Sequence, residues 1–99
     1  MLIDDHKSIL WGLQKLIDSD NRFKVCSIAA NQDDALNQIR LHTPDVIMLD
    51  LDLGAHSGVD LIPHLLGQSK AKVIVLTGIR ETDIHDKAVV KGARGILTK

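Results

Sequence analysis

One short segment limits the folds open to this chain: an unbroken apolar run, Val46-Ile47-Met48-Leu49, that ends at Asp50. A run without polar alternation predicts a strand that is buried on both faces, as in a parallel sheet. Asp50 then lies at the carboxyl end of the strand, which is where ligands bind in open α/β sheets. A helix cap or a turn is the alternative role for a single aspartate at this position.

Apolar strand patterns alternate with helical patterns along the whole chain. Strands are predicted over 1–3, 23–29, 45–49, 73–76 and 95–98, and helices over 7–18, 31–41, 58–66 and 81–91. This β-α-β-α-β-α-β-α-β order predicts an α/β fold with a parallel sheet and helices on both faces. The first strand is short and one more helix would be needed to cover the sheet, so residues 1–99 are expected to be one domain of a longer protein, truncated at both ends.

Composition narrows the function classes. A chain of 99 residues is sufficient for one domain. Its net charge of −1 gives no electrostatic reason to expect nucleic acid or an anionic membrane as a direct partner. The absence of a long apolar run and of a signal-peptide pattern predicts a cytoplasmic location. The five histidines show no paired metal-ligand spacing, so no zinc site is predicted.

Polar side chains collect at the carboxyl edge of the predicted sheet. Asp4 and Asp5 follow the first strand, Asp50 the third, Thr77 the fourth and Lys99 the fifth. Three carboxylates at one edge repel one another, and either protonation or a bound hard cation relieves the repulsion. Mg²⁺ suits this site because it takes one or two carboxylates and keeps several waters.

These residues suggest phosphoryl chemistry. Asp50 could accept a phosphoryl group as an acyl phosphate, with the Thr77 hydroxyl and the Lys99 ammonium contacting phosphoryl oxygens. Each residue also has a structural alternative: Thr77 as a strand-end cap, Lys99 as a solvated side chain, and Asp4-Asp5 as an acidic pair at a helix N-terminus. Their joint position at strand ends favours the functional interpretation.

The same residues resemble the signature of two-component response-regulator receiver domains. The segments that carry the resemblance are Asp4-Asp5-His6, Pro44-Asp45-Val46-Ile47-Met48-Leu49-Asp50-Leu51, Thr77-Gly78 and Lys91-Gly92-Ala93-Arg94-Gly95-Ile96-Leu97-Thr98-Lys99. They are most similar to the NarL/FixJ (LuxR-type) subfamily. The resemblance spans residues 1–99 and implies a flavodoxin-like (βα)5 fold with strand order 2-1-3-4-5. The last helix would be missing from this chain.

The resemblance also implies roles for single residues. Asp50 would accept a phosphoryl group from a sensor histidine kinase, with Asp5 and Asp50 as direct Mg²⁺ ligands. Asp4 would act through water, the backbone carbonyl of Asp52 would supply a further ligand, and the Gly78 amide would assist Thr77. The protein would be a signalling phosphoacceptor and not an enzyme on other substrates, with only slow autodephosphorylation. It could form a homodimer, and would reach DNA only through a C-terminal helix-turn-helix domain that is absent here.

Several positions depart from the family pattern. Gly54 replaces a proline that usually follows the phosphorylation site, and Ile96 replaces an aromatic switch residue. These departures leave open a receiver-like interaction module that signals without phosphorylation. A phosphatase of the haloacid-dehalogenase type is the enzymatic alternative, because Asp50-Leu51-Asp52 also fits its Asp-x-Asp motif. In that family, however, the acidic pair follows the lysine, whereas Asp4-Asp5 precedes Asp50.

Overall fold

The computed structural model describes residues 1–53, 56–78 and 82–98. Short strands alternate with helices, as the pattern of apolar residues predicts. In chain order the elements are β1 Leu2–Ile3, α1 Lys7–Asp18, β2 Ile28–Ala29, α2 Gln32–Leu41, β3 Val46–Asp50, β4 Asp52–Leu53, β5 His56–Ser57, α3 Gly58–Gln68, β6 Lys72–Thr77, α4 Thr82–Val90 and β7 Gly95–Thr98.

Five strands form one parallel sheet in the order β2-β1-β3-β6-β7. This is the predicted order 2-1-3-4-5, since the small β4–β5 hairpin lies outside the sheet. The flavodoxin-like prediction is therefore confirmed. β3 occupies the centre, paired with β1 on one side and β6 on the other. All five strands run in the same direction, so their carboxyl ends meet at one edge.

The main core lies on one face of the sheet. It joins fully buried strand residues such as Ile47, Leu49 and Val75 to buried residues of α2, α3 and α4. Leu10 of α1 and Leu2 are also buried but lie outside this cluster. Because side chains alternate between the faces of a strand, Leu2 belongs to the opposite face, where Ile17 of α1 lines a cavity together with Leu2 and Met48.

Most predicted boundaries agree with the structure to within two residues. Asn31 caps α2 as predicted, because its side chain accepts a hydrogen bond of 2.8 Å from the Asp34 backbone N–H. Gly92 ends the segment after α4 with a φ of +116°, a conformation that strongly favours glycine. Within the described residues, none of the helices combines the length and apolar character needed to span a membrane.

Two local predictions were wrong. The second strand was predicted over residues 23–29 but covers only Ile28–Ala29, because β1 offers just Leu2 and Ile3 as partners in register. No strand was predicted between Asp50 and α3, yet this segment contains the antiparallel pair β4–β5. Strands of two residues are too short for their periodicity to be recognised in the sequence.

Candidate functional site

Asp50 lies at the carboxyl end of the central strand. Its relative exposure is only 1%, although an ionised carboxylate is costly to bury. The register pairs Leu49 with Ile3, so the residues that follow them, Asp50 and Asp4, lie side by side. The prediction that the first and third strands deliver carboxylates to one place is therefore confirmed.

Asp4 and Asp5 belong to the connection between β1 and α1, and their environments differ. The Asp4 backbone N–H donates to the carbonyl of Ala29, 3.0 Å away, which holds the end of β1 against β2. The Asp4 side chain is buried, and its Oδ1 accepts a hydrogen bond of 2.8 Å from the His6 backbone N–H. Asp5 is more exposed and faces the same cluster.

His6 completes the cluster, although the sequence analysis assigned no site role to it. Its Nδ1 atom lies 2.8 Å from Oδ1 of Asp4, 3.0 Å from Oδ1 of Asp5 and 3.5 Å from Oδ2 of Asp50. The imidazole is about half exposed, so the cluster can be reached from solvent. Paired histidine spacing does not reveal this residue, since its ligand-type neighbours are the two aspartates that precede it.

The cluster has the chemistry of a divalent-cation site. One ligand-type atom from each of Asp4, Asp5, His6 and Asp50 lies within 4.8 Å of the others. An octahedral ion with bonds near 2.1 Å places its ligand atoms between about 3 and 4.2 Å apart, so a small movement would close this set around Mg²⁺. Two carboxylates 4 Å apart repel by about 4 kcal/mol at an effective dielectric of 20. A cation between the two carboxylates would attract both of them and offset this repulsion.

Of the other predicted site residues, the structure describes Thr77, Gly78 and Asp52 but not Lys99. Thr77 ends β6 and is fully buried, and Gly78 follows it in an exposed bend. The register pairs Thr77 with Thr98 at the end of β7. Asp52 begins β4, directly beyond the Asp50-Leu51 segment. Lys99 lies outside the described residues, as do Gly54 and Ile79.

The family model of the response regulator receiver domain matches residues 1–99 of this chain. The chain belongs to the response regulator receiver domain family. The prediction that this chain is a receiver domain of a two-component system is therefore confirmed. The match favours this class over the phosphatase alternative.

Individual relatives give the same result. The transcriptional regulatory protein YvfU of Bacillus subtilis is 30% identical over 99 residues, which cover 99% of this chain and 50% of that protein. A response regulator of Burkholderia pseudomallei, solved with a phosphorylated aspartic acid, calcium ion and citrate, has a TM-score of 0.91 and 31% identity. The alignment covers 99% of this chain and 57% of that one.

A LuxR-family response regulator of Aurantimonas has a TM-score of 0.93 at 30% identity, over 100% of this chain and 71% of that one. The relatives are longer than this chain, which spans about half the length of several curated transcriptional regulators that it matches.

Proposed function

We propose that this receiver domain accepts a phosphoryl group on Asp50 from a sensor histidine kinase, in a reaction that depends on Mg²⁺. The observation that carries the proposal is the cluster of Asp4, Asp5, His6 and Asp50 around one point, at the carboxyl end of the central strand. A buried carboxylate that shares a solvent-accessible site with two others is suited to hold a cation beside an incoming phosphate.

We propose that aspartate side chains and one backbone carbonyl form the cation site. Asp5 and Asp50 contact the ion directly, Asp4 acts through water, and the backbone carbonyl of Asp52 is a further ligand. When bound, Mg²⁺ supplies positive charge that offsets the carboxylates and the phosphoryl oxygens. The depth of Asp4, which is 3% exposed, and its hydrogen bond to His6 support a role in orienting the site.

The transfer step follows from the chemistry of Asp50. A carboxylate oxygen of Asp50 attacks the phosphorus, an O–P bond forms, and the P–N bond of the donor phosphohistidine breaks. The electron pair of that bond stays on the imidazole nitrogen of the kinase, which takes a proton from solvent. The Thr77 hydroxyl and the Gly78 amide donate to phosphoryl oxygens, and Lys99 neutralises negative charge. The protein is then a phosphoacceptor with slow autodephosphorylation, and not an enzyme on other substrates.

Phosphorylation acts as a charge switch. The phosphoryl group adds about 1.5 to 2 negative charges at Asp50. Thr77 lies at the end of β6, beside β7, and the chain continues from Thr77 towards α4. A movement of Thr77 towards the phosphoryl group therefore changes the packing of α4 and β7, the two elements that follow it in the chain.

We further propose that this domain belongs to the NarL/FixJ (LuxR-type) subfamily and controls transcription. Relatives of about twice its length are named as transcriptional regulators, and a LuxR-family structure superimposes over the whole chain. In the full-length protein a fifth helix and a C-terminal helix-turn-helix domain would follow the receiver. DNA binding would reside in that domain, and phosphorylation would change its activity or the formation of a homodimer.

Intact-mass spectrometry tests the phosphoacceptor proposal directly. The protein is incubated with Mg²⁺ and a small phosphodonor, in parallel with Asp50→Asn and Asp45→Asn. Asp45 is a matched control because it is an exposed aspartate directly before the first residue of the same strand. We expect a single phosphoryl adduct on the wild type and on Asp45→Asn, and none on Asp50→Asn or without Mg²⁺.

Two other outcomes would contradict the proposal. If the folded wild-type protein binds Mg²⁺ and gains no adduct, the domain is an interaction module that signals without phosphorylation. If free phosphate accumulates over many turnovers from several phosphoesters, the domain is a phosphatase.

A further inference from the structure

His6 is the one member of the acidic cluster that is not a carboxylate, and the proposed cation site does not yet assign it a role. Its Nδ1 atom lies 3.0 Å from Oδ1 of Asp5 and 3.5 Å from Oδ2 of Asp50. These two carboxylates are the ones proposed to bind the cation directly. In an octahedral site with bonds near 2.1 Å, neighbouring ligand atoms are about 3 Å apart. The nitrogen therefore lies where a neighbouring ligand of the same ion would lie.

The backbone holds the imidazole in this position. His6 is the residue that precedes α1, with an extended backbone, and its N–H donates to Oδ1 of Asp4 over 2.8 Å. The same oxygen lies 2.8 Å from Nδ1. Asp4 thus holds the main chain of His6, and its contact with Nδ1 brings that nitrogen into the cluster. On binding a cation, Nδ1 would exchange this contact, and any proton it carries, for the ion.

We infer that His6 is an additional cation ligand, through Nδ1, and that it gives the site a preference for divalent cations that bind imidazole. Carboxylate and water ligands suit Mg²⁺, whereas imidazole suits ions such as Zn²⁺ and Co²⁺, and Mn²⁺ accepts both. A set of two carboxylates, a carbonyl and an imidazole leaves two positions of an octahedron for water and a phosphoryl oxygen. This inference rests on the proposed cation site and deepens it.

The test compares metals on the protein alone, without any phosphodonor. Mn²⁺ and Co²⁺ affinities are measured against Mg²⁺ for the wild type, His6→Ala, His6→Gln and the control His64→Ala. His64 is an exposed histidine of α3. We expect both His6 variants to bind Mn²⁺ and Co²⁺ at least about tenfold more weakly, with a smaller loss for Mg²⁺. The electron spin-echo spectrum of bound Mn²⁺ should show coupling to an imidazole nitrogen in the wild type and in His64→Ala only.

Other results would overturn the inference. Tighter binding of every cation by His6→Ala would identify the imidazole as a competitor that occupies the place of the ion. Unchanged affinities and unchanged nitrogen coupling would identify it as a bystander. Circular dichroism of both variants shows whether the fold is retained, and His6→Gln keeps a polar side chain before α1 if the alanine variant unfolds. Either failure leaves the Asp50 phosphoryl adduct of the wild type unaffected, so the two proposals are tested separately.

Discussion

At the scale of single residues, the site concentrates negative charge where the fold gives it little water. Asp4 and Asp50 are nearly inaccessible, with relative exposures of 3% and 1%. Asp5 and His6 are more exposed and face the same point from the solvent side. A site with this arrangement admits an ion from outside and holds it against buried carboxylates. Its stability should therefore depend on cations.

The first prediction concerns that dependence. A ligand that binds only the folded state at ten times its dissociation constant raises the free energy of unfolding by about 1.4 kcal/mol. If Asp50→Asn weakens binding tenfold, the gain at the same Mg²⁺ concentration falls to about 0.4 kcal/mol. Urea unfolding with and without Mg²⁺ measures both values. Asp45→Asn should keep the full gain, and a full gain in Asp50→Asn would show that the negative charge of Asp50 does not contribute to cation binding.

The sequence predicted three of the four clustered residues because their positions follow from strand ends. Asp4, Asp5 and Asp50 each come after an apolar run, and parallel strands bring such positions together. His6 could not be assigned in this way, since its role depends on a side-chain direction. That direction is set by the hydrogen bond from its own backbone to Asp4, which no spacing rule contains.

At the scale of elements, the close approach of α3 to the end of β3 determines the shape of the site. The backbone N–H of Gly58, the first residue of α3, donates to the carbonyl of Leu51 over 2.9 Å. A Cβ atom on Gly58 would lie 2.7 Å from the carbonyl oxygen of Asp50 and 2.7 Å from Cα of Leu51. Both neighbours are backbone atoms, so only a shift of the chain around Asp50 could make room.

We therefore expect Gly58→Ala to lower the free energy of unfolding by about 1–3 kcal/mol, the usual cost of overpacking. It should also reduce the yield of the Asp50 phosphoryl adduct. Gly12 provides the control, because it lies inside α1 and a Cβ there would meet no atom within 4 Å. Gly12→Ala should raise the free energy of unfolding by about 0.4–1 kcal/mol, because alanine lowers the conformational entropy of the unfolded chain. Urea unfolding measures the free energy of unfolding of both variants. Equal changes in the two variants would show that the close approach of Gly58 to the backbone does not limit the side chain at this position.

The elements themselves were largely predictable from the sequence, with an instructive exception. Strands such as β3 and β6 were recognisable because burial on both faces requires continuous apolar runs. The pair β4–β5 was not, since each strand has two residues and its existence depends on a tertiary turn between Asp50 and α3. The short extent of β2 likewise depends on how much of β1 is available for pairing.

At the scale of the whole molecule, the two faces of the sheet are unequally covered. One face packs against α2, α3 and α4, and Leu49 on that side is fully buried. On the other face, Met48, Ile74 and Leu76 are half-buried and Leu97 is 51% exposed. The register aligns Met48 with Ile74 and Leu76 with Leu97, so the four form a continuous apolar surface. The stability of the domain should therefore come mainly from the first face.

A matched pair of leucines tests this asymmetry. Leu49→Ala removes a fully buried side chain and should lower the free energy of unfolding by about 2–5 kcal/mol. Leu97→Ala removes the same atoms from the half-exposed face, so the loss should be about 1 kcal/mol or less. The midpoints and slopes of urea unfolding give both values, and the slopes should agree because the fold is retained. A comparable loss in Leu97→Ala would mean that the second face is covered in solution, for example by a second copy of the chain. The loss would then depend on protein concentration.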